Sequence, residues 1–392
     1  MTLAIDAFYG GHVEMPNPGF RGPPAHTRRM SDAHLATVYD EALRFAELME
    51  RTGYDTLWLA EHHFQREGYG CIGNVPLLSL HLAHHTERLK FGAFFNTVTA
   101  WHPMRLAEDY ATVDVLTGGR LRFGIGRGYV AREVETLGGP LLDDAANRDL
   151  FEEQVEIMLK AWHEPEFAHA GTAYRVPADV PHMFDDLVDI TLVPRPAHLP
   201  VEIWQPITST KRRGLDFMAR HGIKGVIAGG TAPGGRADQA AAVYRDALAR
   251  AGRQTELGED LAVGFQIHLA DSREAALREA TPWCEEHLKG LAPLGRYPQL
   301  SEAQIRATAE GEAAYGAGLP TIRDLDAEGT WVCGTPDHVC DHLSGLLERL
   351  PGLRRVFIQT GSLGVPPSAM RADIQWFAQD VMPGFVPASG NR

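Results

Sequence analysis

An acidic residue and two imidazoles, Glu61-His62-His63, follow directly on the apolar run Trp58-Leu59-Ala60 and precede Phe64. An imidazole changes charge near neutral pH, which suits it to moving protons in a reaction. Adjacent residues of an extended segment point to opposite faces, so only one of His62 and His63 can serve a given site. That alternation, with no H-E-x-x-H spacing, argues against a metal here. Glu61 could orient a neighbouring group or make a structural hydrogen bond, and the sequence leaves both open. His81 and His85 lie one helical turn apart with no accompanying carboxylate, the pattern of a satisfied or solvated helix face.

Further along, Leu121-Arg122-Phe123-Gly124-Ile125-Gly126-Arg127-Gly128-Tyr129 runs from a strand into a glycine-rich turn. Its spacing is not G-x-G-x-x-G, no acidic strand end follows about 20 residues on, and no helix opens at once, so a dinucleotide fingerprint is disfavoured. The alternative is a close approach of backbone to a ligand, with Arg127 as partner for an anion. A second arginine, Arg148, opens the next predicted helix, Asp149–Trp162. The stretch Gln205–Arg213 then offers Thr208, Ser209 and Thr210 ahead of another helix. Hydroxyls and free N–H groups before a helix make a phosphate cradle, and guanidinium groups add bidentate bonds. Taken alone the hydroxyls could be a capping cluster. Two arginines, each following a strand, turn the reading toward a cofactor that carries a phosphate.

The elements that must position these groups alternate in type. Strands are predicted at Leu3–Phe8, Thr56–Leu59, Leu89–Phe95, Leu121–Ile125, Val201–Gln205, Gly225–Ile227, Leu261–His268 and Arg355–Gln359. Helices are predicted at Ser31–Arg51, with Ser31 as N-cap and Gly53 as stop, and at Val75–Thr86, Pro103–Leu116, Asp149–Trp162, Gly214–Arg220, Ala237–Ala251 and Ala369–Val381. Eight strands with interposed helices imply a parallel sheet. Closure into a single (β/α)8 barrel spanning residues 1–392 is the expected architecture, with a doubly wound open sheet as the runner-up. Loops and insertions then sit at the C-terminal face. Gly10–Arg29 should be an ordered loop over the mouth, Glu164–Arg195 a long excursion, and Pro282–Gly329 a lid or inserted helical subdomain.

Composition bounds the function. The 392 residues are 44% hydrophobic, enough for a large core, and the net charge of −14 argues against nucleic acid. No apolar run reaches the roughly 18 residues that span a bilayer. No signal peptide is read at the N-terminus, and four scattered cysteines suggest a reducing interior, so a cytoplasmic enzyme is expected.

The segments EHHF, FNTVTAWHPMRLAEDYATVDVLTGGRLRFGIGRGY and NRDLFEEQVEIMLKAW together resemble the bacterial luciferase-like flavin-dependent monooxygenases, and are similar to the luciferase α subunit. The likeness is dense from about residue 53 to 162 and weaker at the Thr208–Thr210 cluster and at Cys333-Gly334-Thr335-Pro336. It implies a two-component enzyme that uses FMNH2 from a separate NAD(P)H:flavin reductase. Such an enzyme adds O2 to the flavin as a C4a-hydroperoxide and oxygenates a small or medium organic molecule. It further implies that His62 is the catalytic histidine and that Arg127 and Arg148 clamp the FMN phosphate. Thr208, Ser209 and Thr210 fall near the phosphate-binding hydroxyls. Phe94-Phe95 falls on a non-proline cis peptide beneath the flavin ring. Gly126 replaces the luciferase reactive cysteine, which counts against bioluminescence. Pairing in the family suggests a homodimer through Val75–Thr86 and Pro103–Leu116. A deazaflavin-dependent hydride transferase on the same barrel and a non-catalytic flavin-binding protein are the alternatives.

Overall fold

In the computed structural model, which describes residues 3–386, eight parallel strands close on themselves in chain order. They are β1 (Ala4–Tyr9), β2 (Thr56–Leu59), β3 (Lys90–Ala93), β4 (Leu121–Gly126), β5 (Ile203–Pro206), β6 (Lys224–Ala228), β7 (Leu261–Leu269) and β8 (Arg355–Gln359). Each pairs with the next, β4 with β5 at Ile203 opposite Phe123, and β8 returns to β1 at Arg355 opposite Ala4. The fold is a (β/α)8 barrel, and all eight strands fall within two residues of their predicted ends. The predicted third strand stops early, at Ala93, and Asn96–Thr97 resumes as a short strand beside β4.

The helices form the outer ring: α1 (Asp32–Thr52), α2 (Val75–Ala83), α3 (Pro103–Leu116), α4 (Ala131–Thr136), α5 (Asp144–His163), α6 (Arg212–Arg220), α7 (Arg236–Arg250) and α8 (Arg273–Leu291). After them come the short α9 (Glu302–Ala307) and α10 (Ile322–Ala327), then α11 (Pro336–Arg349) and α12 (Pro367–Trp376). Ser31 accepts from His34 N–H and Gly53 takes φ 91°, so α1 starts and stops where those residues predict. Among the described residues no helix is long and apolar enough to cross a membrane.

Three expectations need correction. First, α5 begins at Asp144, because Asp143 caps Ala145 and Ala146 N–H, so Arg148 lies inside the helix and does not open it. Second, α2 ends at Ala83 and not at Thr86, since Arg120 takes the carbonyls of Ala83 and Thr86 that a longer helix would have used. Third, Pro282 is not the start of the insertion: it sits inside α8, where it buries a face that includes Cys284 and Leu288. Thr281 donates back to Leu277 O in the turn where proline interrupts the helical ladder. The irregular stretch therefore begins after Leu291. The Glu164–Arg195 excursion holds two short antiparallel hairpins, His169–Ala170 with Arg175–Val176 and Pro181–His182 with Asp185–Asp186.

Inside the barrel, Trp58, Phe94, Trp204, Val226, Ala262 and Phe357 pack together. The Trp58 and Phe94 rings stack with centroids 3.8 Å apart. Gly92 is required there, since a Cβ would lie 2.4 Å from the Trp58 ring. Below this layer Arg355 bonds Asp6 at 2.7 Å and Asp55 at 2.9 Å, and Asp6 accepts from Trp58 Nε1 at 2.7 Å. Burial opposes ionisation of Glu202 in the same layer, but Arg122 and Lys224 outweigh it and hold its carboxyl at about 2. The N-terminal end is thus plugged by apolar and paired charged groups.

At the opposite end the loop from Gly10 to Arg29 is held by one buried carboxylate. Glu286 of α8 accepts from Gly19 N–H at 2.8 Å, Arg28 Nη2 at 3.1 Å and Tyr69 O–H at 2.6 Å, and pairs with Lys289 at 2.8 Å. Removing one member of a buried ion network strands the others, at a cost of about 3–5 kcal/mol. Glu286→Ala should lose about that much stability in chemical denaturation. Arg105→Ala, from the exposed Arg105–Glu108 pair, should lose less than about 1 kcal/mol. Equal losses would contradict the assignment of Glu286 as the anchor.

Candidate active site

Strand ends deliver the candidate groups to one rim. Glu61, two residues past β2, is fully enclosed and accepts from His63 Nε2 at 2.8 Å, Trp101 Nε1 at 2.8 Å and Thr97 N–H at 3.0 Å. Both readings left open for Glu61 therefore hold: it fixes His63, and it ties the chain after β3 to the end of β2. The Phe94–Phe95 peptide between those points is cis. Gly126 packs under Phe95, where a Cβ would stand 3.1 Å from the Phe95 Cβ.

His62 faces the other way, as alternation requires. Its Nδ1 lies 3.2 Å from both oxygens of Glu133, a buried residue of α4, and Gln65 Nε2 also donates to that carboxylate at 2.5 Å. A carboxylate only accepts, so Nδ1 carries the proton in this arrangement and Nε2 is left as the base. Tyr129 O–H is the donor 3.3 Å from Nε2. Protein packed around its hydroxyl pushes the Tyr129 pKa up to about 12 even though more than a third of the residue is exposed, so it stays protonated at neutral pH. Gly70 makes room for the imidazole, since a Cβ there would approach its ring to 2.6 Å. An oriented base with a neutral donor beside it can accept or return one proton at Nε2.

Arg127, just past β4, donates to Asp144 Oδ1 at 2.9 Å and Asn147 Oδ1 at 3.1 Å. Arg148, one turn further along α5, has only a 3.5 Å contact with Glu152 among the described carboxylates. Burial, then the nearby Arg127 charge, makes Arg148 less basic than usual. Its guanidinium sits against the first turn of α6, 3.3 Å from where a Cβ of Gly214 would be. Arg127, through its hydrogen bond, holds the Asp144 carboxyl below the usual range, and the Lys211 and Arg148 charges add to this. Asp144 is exposed, so the anion that Arg127 holds is one that a phosphate could displace. Thr208, Ser209 and Thr210 are exposed immediately before α6, whose first turn has no side-chain cap. The fold thus brings Arg127, Arg148 and the hydroxyl loop to one corner.

Phe8 and Phe95 pack on the aromatic interior beneath the mouth. Gln266 donates to Gln359 Oε1 at 3.2 Å, and its own Oε1 is buried without a partner among the described residues. An aromatic floor, an unsatisfied acceptor and a basic corner fit a planar heteroaromatic cofactor with a phosphate tail. The sequence reading missed Glu133, Tyr129 and Gln65. Glu133 lies 71 residues from His62 on a six-residue helix with no cap, so nothing local to it signals the contact.

The profile of the luciferase-like monooxygenase family matches residues 23–352. The 4-hydroxyprotoasukamycin monooxygenase of Streptomyces nodosus subsp. asukaensis is 25% identical over 351 residues, 88% of this chain and 86% of that protein. Among solved structures, the FMN complex of the oxygenating constituent of 3,6-diketocamphane monooxygenase from Pseudomonas putida superposes with a TM-score of 0.68. It is 19% identical and covers 99% of this chain and 100% of that one. The coenzyme F420-dependent tetrahydromethanopterin reductase from Methanopyrus kandleri gives 0.63 at 14% identity, covering 98% of this chain and 100% of that one.

The Glu61 hydrogen bond raises the His63 pKa above its ordinary value. A raised folded-state pKa gives stability that is fully present below the unfolded value of about 6.5 and lost as pH rises through the folded value. The stability gap between wild type and His63→Gln should therefore be wider at pH 5.5 than at pH 9, read as the difference in Tm. A gap independent of pH would show that His63 gains nothing from Glu61 by charging.

Proposed function

The chain belongs to the luciferase-like monooxygenase family, and from that premise we propose that it is the oxygenase component of a two-component FMN-dependent monooxygenase. A separate NAD(P)H:flavin reductase would supply the reduced FMN. The observation that carries this reading is the corner where Arg127, which holds the exposed Asp144, and Arg148, set against the first turn of α6, meet the Thr208–Thr210 loop at the strand-end rim that also bears His62. When bound, reduced FMN supplies the electrons and the C4a position at which dioxygen is activated.

Everything else falls to the chain. Arg127 and Arg148 bind the phosphate by charge-assisted bonds, with the Thr208–Thr210 hydroxyls as further donors. Phe94 and Phe95 support the ring, and the Gln266 oxygen accepts from its polar edge. His62, turned by Glu133, takes a proton at Nε2 and gives it back, with Tyr129 as the adjacent donor. The loop from Gly10 to Arg29, clamped by Glu286, helps exclude water from the mouth. Hydride transfer with a deazaflavin is the second reading, favoured by the fold likeness to the F420-dependent reductase.

Arg127→Ala and Arg148→Ala should each weaken FMN binding about 10- to 100-fold, followed by flavin fluorescence. His62→Ala should bind FMN as the wild type does. It should lower oxygenation about 10²–10⁴-fold, on whichever ketone, aldehyde or heteroarene of a panel the wild type oxygenates, while releasing more hydrogen peroxide. Tight binding of F420 with none of FMN would replace this reading with the second. Consumption of no oxygen with reduced FMN would leave only a flavin-binding role.

The assembly we propose is a homodimer through α2 and α3, which pack against each other and expose Leu77, Val115 and Leu116. Apolar patches of this kind on neighbouring helices suit an isologous contact. At micromolar concentration the protein should sediment at twice its 43.1 kDa chain mass. Sedimentation as a single chain would remove the interface.

A further inference from the structure

Strand β7 ends in a buried imidazole with a carboxylate at each nitrogen. His268, 6% exposed, sets Nδ1 3.1 Å from Asp373 Oδ2 of α12 and Nε2 3.2 Å from Glu279 Oε2 of α8. A carboxylate only accepts, so both nitrogens carry protons and the ring is an imidazolium. Asp373 is buried and also accepts from Leu269 N–H at 3.0 Å, whereas Glu279 is half-exposed. The Trp283 ring meets the imidazole edge-on, with centroids 4.7 Å apart. One charged ring thus joins β7, α8 and α12.

Its contacts on α8 straddle a joint. Glu279 precedes Pro282 and Trp283 follows it, at the point where the proline interrupts the helical ladder. The loop over the mouth is fastened to the same joint. Gly19, at φ 90°, lies so close that a Cβ would stand 3.2 Å from Pro282 Cα and 2.7 Å from Glu285 Oε2. Phe20 N–H donates to Glu285 at 3.1 Å and Gly19 N–H to Glu286 at 2.8 Å. The imidazolium and the loop from Gly10 to Arg29 therefore hold the same short stretch of α8.

We propose that His268 is a pH-operated latch that, while charged, pins the Pro282 joint to the barrel and keeps the Gly10–Arg29 wall seated over the mouth. A neutral imidazole keeps one N–H, which stays with the buried Asp373, and the half-exposed Glu279 then turns to water. Burial opposes the charge on His268, but Asp373 and then Glu279 outweigh it and raise its pKa above the ordinary value. Burial raises the Asp373 carboxyl, with His268 opposing, so this group too holds its proton more tightly in the folded chain. A raised folded-state pKa gives stability that is full below the unfolded value and lost as pH rises through the folded one, so the latch opens on the alkaline side. The other groups facing the cluster keep their charge there. Arg278 stays a cation, 3.5 Å from Glu279 Oε1, and burial keeps Cys284, Cys333 and Tyr54 protonated.

The test is amide hydrogen exchange on the full chain at pH 6 and pH 8, read by mass spectrometry and corrected for the intrinsic rate. It needs no cofactor, so its outcome is separate from the flavin reading. In the wild type, protection of residues 19–29 should fall about tenfold or more between the two pH values, while that of β4 holds. E279Q, altered at a half-exposed position, should lose most of that fall. H268Q, with no ring to charge, should be loose at both pH values; where it does not fold, E279Q decides. Equal protection at pH 6 and pH 8 in the wild type overturns the latch. An undiminished fall in E279Q overturns it as well. The titrating group would then be Lys289, which also grips Gly19 O and Pro23 O and which burial makes less basic. A fall shared equally by β4 would mean that the whole barrel weakens, and it too would end the proposal.

Discussion

Closing eight strands into a barrel creates an interior that side chains must fill, and the rest of this molecule follows from how it is filled. Six residues around the Trp58–Phe94 stack occupy the middle, and the Asp6–Arg355 layer closes the floor. No open lumen is left for chemistry. Binding groups are displaced to the rim, onto the first residues past each strand. His62 and Arg127 both sit there, and the segments that carry them differ in length and conformation with little cost to the barrel.

Loops of that kind hold a geometry only when something ties them, and three buried carboxylates do so. Glu61 takes backbone and side-chain donors from two loops, Glu133 takes His62 and Gln65, and Glu286 takes Gly19, Arg28, Tyr69 and Lys289. Each exchanges water for several aimed donors, the condition under which a buried charge is tolerated. They do different work. Glu61 shapes the chain, Glu286 attaches a wall, and Glu133 sets which nitrogen of an imidazole is free.

The strands were legible because a barrel strand is short, apolar and bounded by turns, and its period survives without knowledge of the fold. The caps at Ser31 and Gly53 were legible for the same local reason. The rim arginines were visible as types, but their convergence was not. Arg148 reaches its corner from inside α5, and the start of that helix hinges on Asp143, a cap hidden among other acidic residues. Pro282 misled because a proline usually breaks a helix, and only the packed face of α8 shows why this one does not. Glu133 lies far in sequence from the residue it meets, so no periodicity connects it to His62.

The pairing of β1 with β8 has a consequence for how the chain is made. Ala4–Phe8 is made before every other strand of the barrel, but its partner Arg355–Gln359 comes some 350 residues later. Until then the growing sheet presents two raw edges, each an invitation to the wrong strand. The closing contact also joins the first and last strands of the barrel, so it carries the largest loop-closure entropy in the fold. The barrel becomes self-protecting only when its last strand arrives.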